Sequence, residues 1–434
     1  MPDPVNRAGS VGKRLQLTIL ICVHILTCVI SFLYALHYKE HYIFYDVHQL
    51  PYAVGLVAAF SLIGPLFIFA RFSFGYFVGF YFYTMVLGFL WLSCFTTLNY
   101  DQRIARLSAI ASIIAFLLPA LFVLSPPKRV FEISPRAFER LLGCILALSL
   151  LTIAVASTYN FRFVTLNNIY DFRPQLEFPT IIRYLIGIVS SALLPFVFAC
   201  FVLQSKFWRA SAVLILLLLF YPITLTKLTL FAPLWLVGLG LLSRLFESRA
   251  TAILSLLLPM LVGAIVITLF KEHARDYFDV VNFRMITIPS SAMNVYNDFF
   301  SRHVFTYFCQ ISILKPLMSC PYQEQLSIIL ERVYGLGNFN ASLFATEGIA
   351  SVGPILAPAA AFLCGLVIGL ANRLSAGLPA RFILMSGGVL PQVLLNVSLS
   401  TTLLTYGAAI LFLLWYVTPR AMFKRNELRA HSEF

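Results

Sequence analysis

Runs of roughly 20 apolar, nearly uncharged residues recur between Leu15 and Val417, and they leave this chain few ways to fold. A helix rises about 1.5 Å per residue, so each run matches the roughly 30 Å hydrocarbon core of a bilayer. Within lipid every backbone N–H and C=O must bond inside the protein, which restricts spanning elements to helices and closed barrels. These runs lack the alternation of barrel strands and read as helices. The pattern predicts twelve spans, at 15–36, 52–70, 74–98, 107–125, 141–158, 181–204, 210–226, 228–243, 251–270, 349–372, 382–397 and 401–417. The seventh and eighth meet at Lys227 with almost no loop, between Pro222 and Pro233, and the last two share a tight turn. The expected fold is all-α and polytopic, with no internal repeat, so residues 1–434 are taken as one transmembrane domain.

The loops alternate in charge. Lys13/Arg14, Arg71, Lys128/Arg129/Arg136/Arg140, Lys206/Arg209, Arg244/Arg249, Arg373/Arg381 and Arg420/Lys424/Arg425/Arg429 fall on one side, which the excess of basic residues assigns to the cytoplasm, with both termini. The net charge of +13 gathers mainly there, so it reads as topology and attraction to anionic headgroups rather than nucleic-acid binding. Residues 15–36 lack a small-residue cleavage site and read as a signal anchor.

Three segments face the opposite side. Residues 37–51 carry Glu40, Asp46 and His48; residues 159–179 carry Arg162, Asp171, Arg173 and Glu177 among aromatics; residues 271–347 form the longest, between the ninth and tenth spans. Within the last, a helix-compatible run NVYNDFFSRHVFTYF follows Ser290 and Ser291. Residues 321–333 look like an interfacial helix, with Leu326, Ile329, Leu330 and Val333 on one face. Cys309 and Cys320 share this segment, where an oxidising compartment permits a disulfide that spacing alone leaves open. The other six cysteines lie in apolar spans, and no zinc-type spacing or other metal motif occurs.

Cations on the outward side need a reason, because topology disfavours them there. Arg162, Arg173, Arg183, Lys227, Arg275, Arg284, Arg302, Lys315 and Arg332 lie in or beside these segments. As a cluster they suit an anionic lipid headgroup such as a pyrophosphate, since guanidinium forks take phosphate oxygens two at a time. Individually each has an ordinary reading as an ion pair or a snorkelling side chain. Lys227 stands alone in PITLTKLTLFAPLW and is either a cavity-facing cation or an exposed turn residue. Most tyrosines and phenylalanines read as interfacial belts, though some suit a sugar groove. No span holds a central Asp or Glu, no phosphate-binding loop occurs, and no acidic pair is placed for a divalent metal.

The run TLTKLTLFAPLW, the element NFRMITIPSSAMNVYNDFF and the stretch GNFNASLFATEGIASVG resemble, in order and layout, segments of the Wzy-type oligosaccharide repeat-unit polymerases. That resemblance implies a GT-C-like fold in a bacterial inner membrane. It also implies transfer of a growing glycan from undecaprenyl diphosphate to a second lipid-linked repeat unit at the periplasmic face. The substrate would be an undecaprenyl-diphosphate-linked oligosaccharide, membrane lipids the surroundings, and a chain-length regulator a further candidate partner, with no cofactor. Glu347, Asp298 and His303 are candidate bases for the attacking hydroxyl, with Asp46 a weaker one. Lys227, Arg284, Arg173, Arg162, Arg275, Arg302, Tyr296, Asn338 and Asn340 are candidate substrate ligands. An O-antigen ligase, or a flippase or permease for the same lipid, are the alternatives.

Overall fold

The computed structural model describes residues 4–37, 42–166, 168–311, 314–336 and 341–423. Among them the regular structure is helical apart from an isolated antiparallel bridge between Ile43 and Thr96. Ten helices in the described residues are long and apolar enough to cross a membrane, from Val11–His37 to Phe344–Ser375, and this is a multi-pass membrane protein. They coincide with the first ten expected spans. The last two expected spans are each interrupted. Ala380–Ser386 and Leu390–Asn396 part at Gly387 and Gly388, and Leu399–Leu404 and Ala408–Val417 part near Gly407. Gly407 has φ +73°, a conformation other residues adopt only with strain, and a Cβ there would meet Ile188 at 3.0 Å.

Where the sequence showed no boundary, contacts divide the chain into two compact units. The first comprises Met1–Val123, Arg249–Gly369 and Leu394–Leu399, and the second Leu124–Ser248, Leu370–Val393 and Ser400–Phe434.

The first unit is built on Phe74–Leu92, a span with every residue buried. Ser73 caps it, its hydroxyl accepting from the Tyr76 N–H at 3.0 Å. Gly88 lets a neighbouring helix close in, because a Cβ there would lie 2.3 Å from Ser290 Oγ and 2.6 Å from the Phe32 ring. Ser290 in turn donates to the Met85 carbonyl at 2.9 Å. The helix Ile288–Phe300 is thereby a core element, buried from Pro289 to its end. This alters the picture of 271–347 as an outer loop bearing short helices. After Lys271 (φ +47°) the chain runs through Arg275–Phe278 and a π-helix, Asp279–Thr287, directly into Ile288–Phe300. Asn282 anchors that run, donating to Ser31 Oγ at 2.8 Å and to the Met260 carbonyl at 2.7 Å. A core assignment was hidden in the sequence because the helix is rich in Ser and Asn, which read as exposed until their partners are known.

Beyond it, Cys309 and Cys320 form the disulfide left open above. Of the helix expected over 321–333, Leu326–Tyr334 is helical, with Leu326, Ser327 and Leu330 buried, Val333 exposed and Gly335 (φ +67°) ending it. A second π-helix, Phe344–Ala350, begins the long span that ends at Ser375.

In the second unit the basic loops gather at one end. Lys206 pairs with Glu139 at 3.1 Å, Arg244 lies over the Phe207 ring, Arg381 reaches Ser243 Oγ at 3.4 Å, and Arg373 donates to the Ser125 carbonyl at 2.9 Å. Arg420 joins two helix ends by donating to carbonyls of Leu374, Ala376, Trp415, Tyr416 and Thr418.

Candidate functional site

The candidate residues fall into two groups, one in each unit. In the second unit the site begins with the break at Lys227. Phe207–Thr224 ends on Leu225 (φ +49°), and Thr226 caps Lys227–Leu245, accepting from the Thr229 N–H at 3.4 Å. The hydroxyls of Thr224, Thr226 and Thr229 lie within 3.1 Å of one another. Segment 159–177 folds over this turn. The Asn160 amide donates to the carbonyls of Pro222 and Ile223 at 3.0 and 2.8 Å, the Arg162 N–H donates to Pro222 at 2.9 Å, and the Tyr221 hydroxyl donates to the Val164 carbonyl. Ile169, Tyr221 and Leu225 form the buried centre, with Val164, Leu166, Phe172, Leu176 and Leu230 packed around them.

The consequence is that Arg162, Arg173 and Lys227 belong to one end of the unit. Arg162 lies over the Phe172 ring at 5.9 Å, Arg173 is exposed and acts electrostatically on Tyr406, and Lys227 is half-buried. Lys227 is also the first residue of its helix. The helix dipole disfavours a cation at that position, and an anion held there would be attracted by both the ammonium and the helix N-terminus.

The first unit holds the carboxylates. Asp298 is 0% exposed near the end of Ile288–Phe300. Its Oδ1 accepts the Asn99 backbone N–H at 2.9 Å, and its Oδ2 accepts the Tyr334 hydroxyl at 2.5 Å and an Arg302 N–H. One turn earlier, Asn294 Oδ1 accepts from the Tyr100 hydroxyl at 2.6 Å. Asp298 therefore joins loop 99–100, its own helix and the Leu326–Tyr334 helix. Burial, and then the bond to Asp298, push the Tyr334 phenol up from its ordinary range.

His303 is different. Its ring stacks on Phe299 with centroids 3.9 Å apart, and its Nδ1 lies 2.8 Å from the Phe299 carbonyl. A carbonyl only accepts, so Nδ1 carries a proton, and Nε2 is the ring nitrogen left to other partners on this exposed side chain. Glu347 sits on the π-helix Phe344–Ala350, 7% exposed, with the Thr346 hydroxyl donating to its Oε2 at 2.9 Å. The buried Tyr296 phenol is pushed up first by burial and then by the Glu347 carboxylate, which places the two in electrostatic reach. π-Helical turns recur at functional sites because the extra residue opens the backbone ladder.

Among the cations of this unit, Arg284 is partly buried on the π-helix Asp279–Thr287. Arg275 pairs with Asp279 at 3.7 Å, both about half exposed. Arg302 keeps 59% of its side chain exposed while bonded to Asp298. In the 37–51 segment, Asp46 accepts the His48 N–H at 2.9 Å in a local turn. Asn338 and Asn340 lie outside the described residues. Sequence reading missed Tyr334, Tyr100, Asn294 and the threonine cluster. The threonines were readable, since TLTKLT carries a helix cap immediately before its lysine. Nothing local connects Tyr334 to a carboxylate 36 positions away.

No protein-family model, curated protein or solved structure matches this chain.

Proposed function

We propose that this chain is a GT-C-like inner-membrane glycosyltransferase that polymerises lipid-linked oligosaccharide repeat units. The observation that carries the reading is the turn at Lys227. Three cations belong to one end of a membrane unit, Lys227 at a helix N-terminus and Arg162 and Arg173 on the aromatic segment strapped over it. That chemistry suits a diphosphate whose lipid tail stays in the bilayer. The Cys309–Cys320 bond supports placing its own segment in an oxidising compartment, the periplasm, as the loop charges do.

In the reaction, a hydroxyl of the acceptor sugar loses its proton to a base and attacks the anomeric carbon of the donor. The bond to undecaprenyl diphosphate breaks, and charge grows on the leaving diphosphate. Glu347 is the base this reading favours, being a secluded carboxylate on a π-helical turn, and His303 is the second candidate through its Nε2. Asp298 has its oxygens engaged by three donors and serves to hold the scaffold.

The test is purified protein given lipid-linked repeat units without metal or nucleotide, with products resolved by gel. A ladder of lengths is expected. In cells, deletion should leave glycan one repeat long. Long polymer retained on the carrier would instead mean a ligase, and repeats trapped on the cytoplasmic face a flippase.

A further inference from the structure

The chain just after Glu347 is held by residues 304–310, and the staple that follows them has no role in the mechanism above. Residues 304–310 run as a strap beside the start of the last long span. The Thr306 N–H donates to the Ala350 carbonyl at 2.8 Å, the Tyr307 N–H to the Ser351 carbonyl at 3.1 Å, and the Thr306 and Ser351 hydroxyls lie 3.1 Å apart. The two carbonyls follow Glu347 by three and four positions. The Phe305 ring fills the space beside Gly353, where a Cβ would lie 2.6 Å from its Cζ and where φ is +75°. The strap is therefore fitted to the point at which the π-helix gives way to the span.

The backbone of the strap is not self-supporting. Tyr307 and Phe308 have φ +48° and +66°, two consecutive non-glycine residues in the left-handed region. Each such residue is disfavoured by roughly tenfold, so something outside the pair must hold the turn. The next residue is Cys309, bonded to Cys320 with Cα atoms 5.3 Å apart. The far side of the staple is tied back as well. Tyr322 donates to the Val304 carbonyl at 2.6 Å, and the Gln310 amide reaches the Tyr322 carbonyl at 3.4 Å.

We propose that the Cys309–Cys320 disulfide makes residues 304–310 a positioning strap for the Glu347 helix, so that this part of the site reaches its working geometry only after oxidation. The two thiols lose two protons and two electrons as the S–S bond forms, and an oxidised protein dithiol catalyst is reduced by thiol–disulfide exchange. Thr306 and Tyr307 are positioning residues and touch no substrate. The catalytic consequence rests on the reading of Glu347 as the base, whereas the mechanical consequence does not.

The experiment treats purified full-length protein with dithiothreitol and follows amide exchange by mass spectrometry beside turnover of lipid-linked repeats. Loss of a short-loop staple should speed exchange at Thr306 and Tyr307 by up to about a hundredfold. Peptides covering 344–351 should follow, with peptides of 135–157 unchanged. The kcat should fall at least tenfold with KM held, and reoxidation should restore both. Cys309→Ser with Cys320→Ser should reproduce the reduced state and ignore dithiothreitol. Unchanged exchange at 344–351 on reduction would overturn the strap, as would faster exchange throughout the protein or a change confined to KM. Exchange that responds as expected in a protein that builds no polymer in either state would sustain the strap and defeat the polymerase reading.

Discussion

Replacing Asp298 by Ala separates a scaffold carboxylate from a catalytic one. The substitution removes the acceptor of three donors at a position with no exposure. Arg302 is mostly exposed and returns to water, so losing that pair costs under about 1 kcal/mol rather than the several expected for a buried charge left alone. The Asn99 N–H and the Tyr334 hydroxyl lose their partner in a part-buried setting that water can reach, at about 0.5–1.5 kcal/mol each. The expected destabilisation is about 1–4 kcal/mol, and about 1 kcal/mol for Asp298→Asn, which keeps the volume and one acceptor. Tyr334→Phe should cost about 1 kcal/mol, and combined with Asp298→Ala should add almost nothing, since both remove the same bond. Thermal unfolding in detergent, followed by tryptophan fluorescence and size exclusion, reads these differences. Polymer synthesis per folded molecule should fall only in proportion to the disturbance, and partly return in Asp298→Asn. A fully stable Asp298→Ala protein with no turnover would refute the reasoning and make Asp298 the base.

Three further outcomes are expected. Lys227→Ala and Arg284→Ala should each lower kcat/KM at least tenfold while the protein still inserts, and Arg284→Lys should recover only part of it because the fork is lost; pyrophosphate protection in exchange experiments checks the binding directly. Glu347→Gln should abolish turnover with donor binding kept, whereas His303→Ala should reduce it modestly; equal loss in both would point to a shared proton path. Gly88→Val should destabilise the first unit by about 1–3 kcal/mol, since its added atoms enter the space of Ser290 and Phe32, and a lowered melting temperature measures it.

Asp298 is a candidate base in the sequence and a carboxylate met by three donors in three dimensions, and what separates the two views is range. The sequence places a carboxylate, a histidine and aromatic rings on one helix, which is equally the pattern of a site and of a buried scaffold. Its decisive partner, the Asn99 N–H, lies 199 positions away. Lys227 behaved oppositely. Its isolation among apolar residues, the flanking prolines and the threonine cap are local facts, and the helix break stands where they put it.

By itself the sequence determined the membrane-spanning helices, because burying a backbone in lipid demands long uncharged runs that are visible residue by residue. It also determined the alternation of basic loops and the one cysteine pair outside the apolar spans. Only the tertiary structure decided that Ile288–Phe300 belongs to the core, that the last two expected spans are interrupted, and which chain segment holds the backbone just after Glu347. Those outcomes depend on hydrogen-bond partners and close helix approaches between residues remote in sequence. A polar side chain states its need for a partner locally, but not which partner meets it.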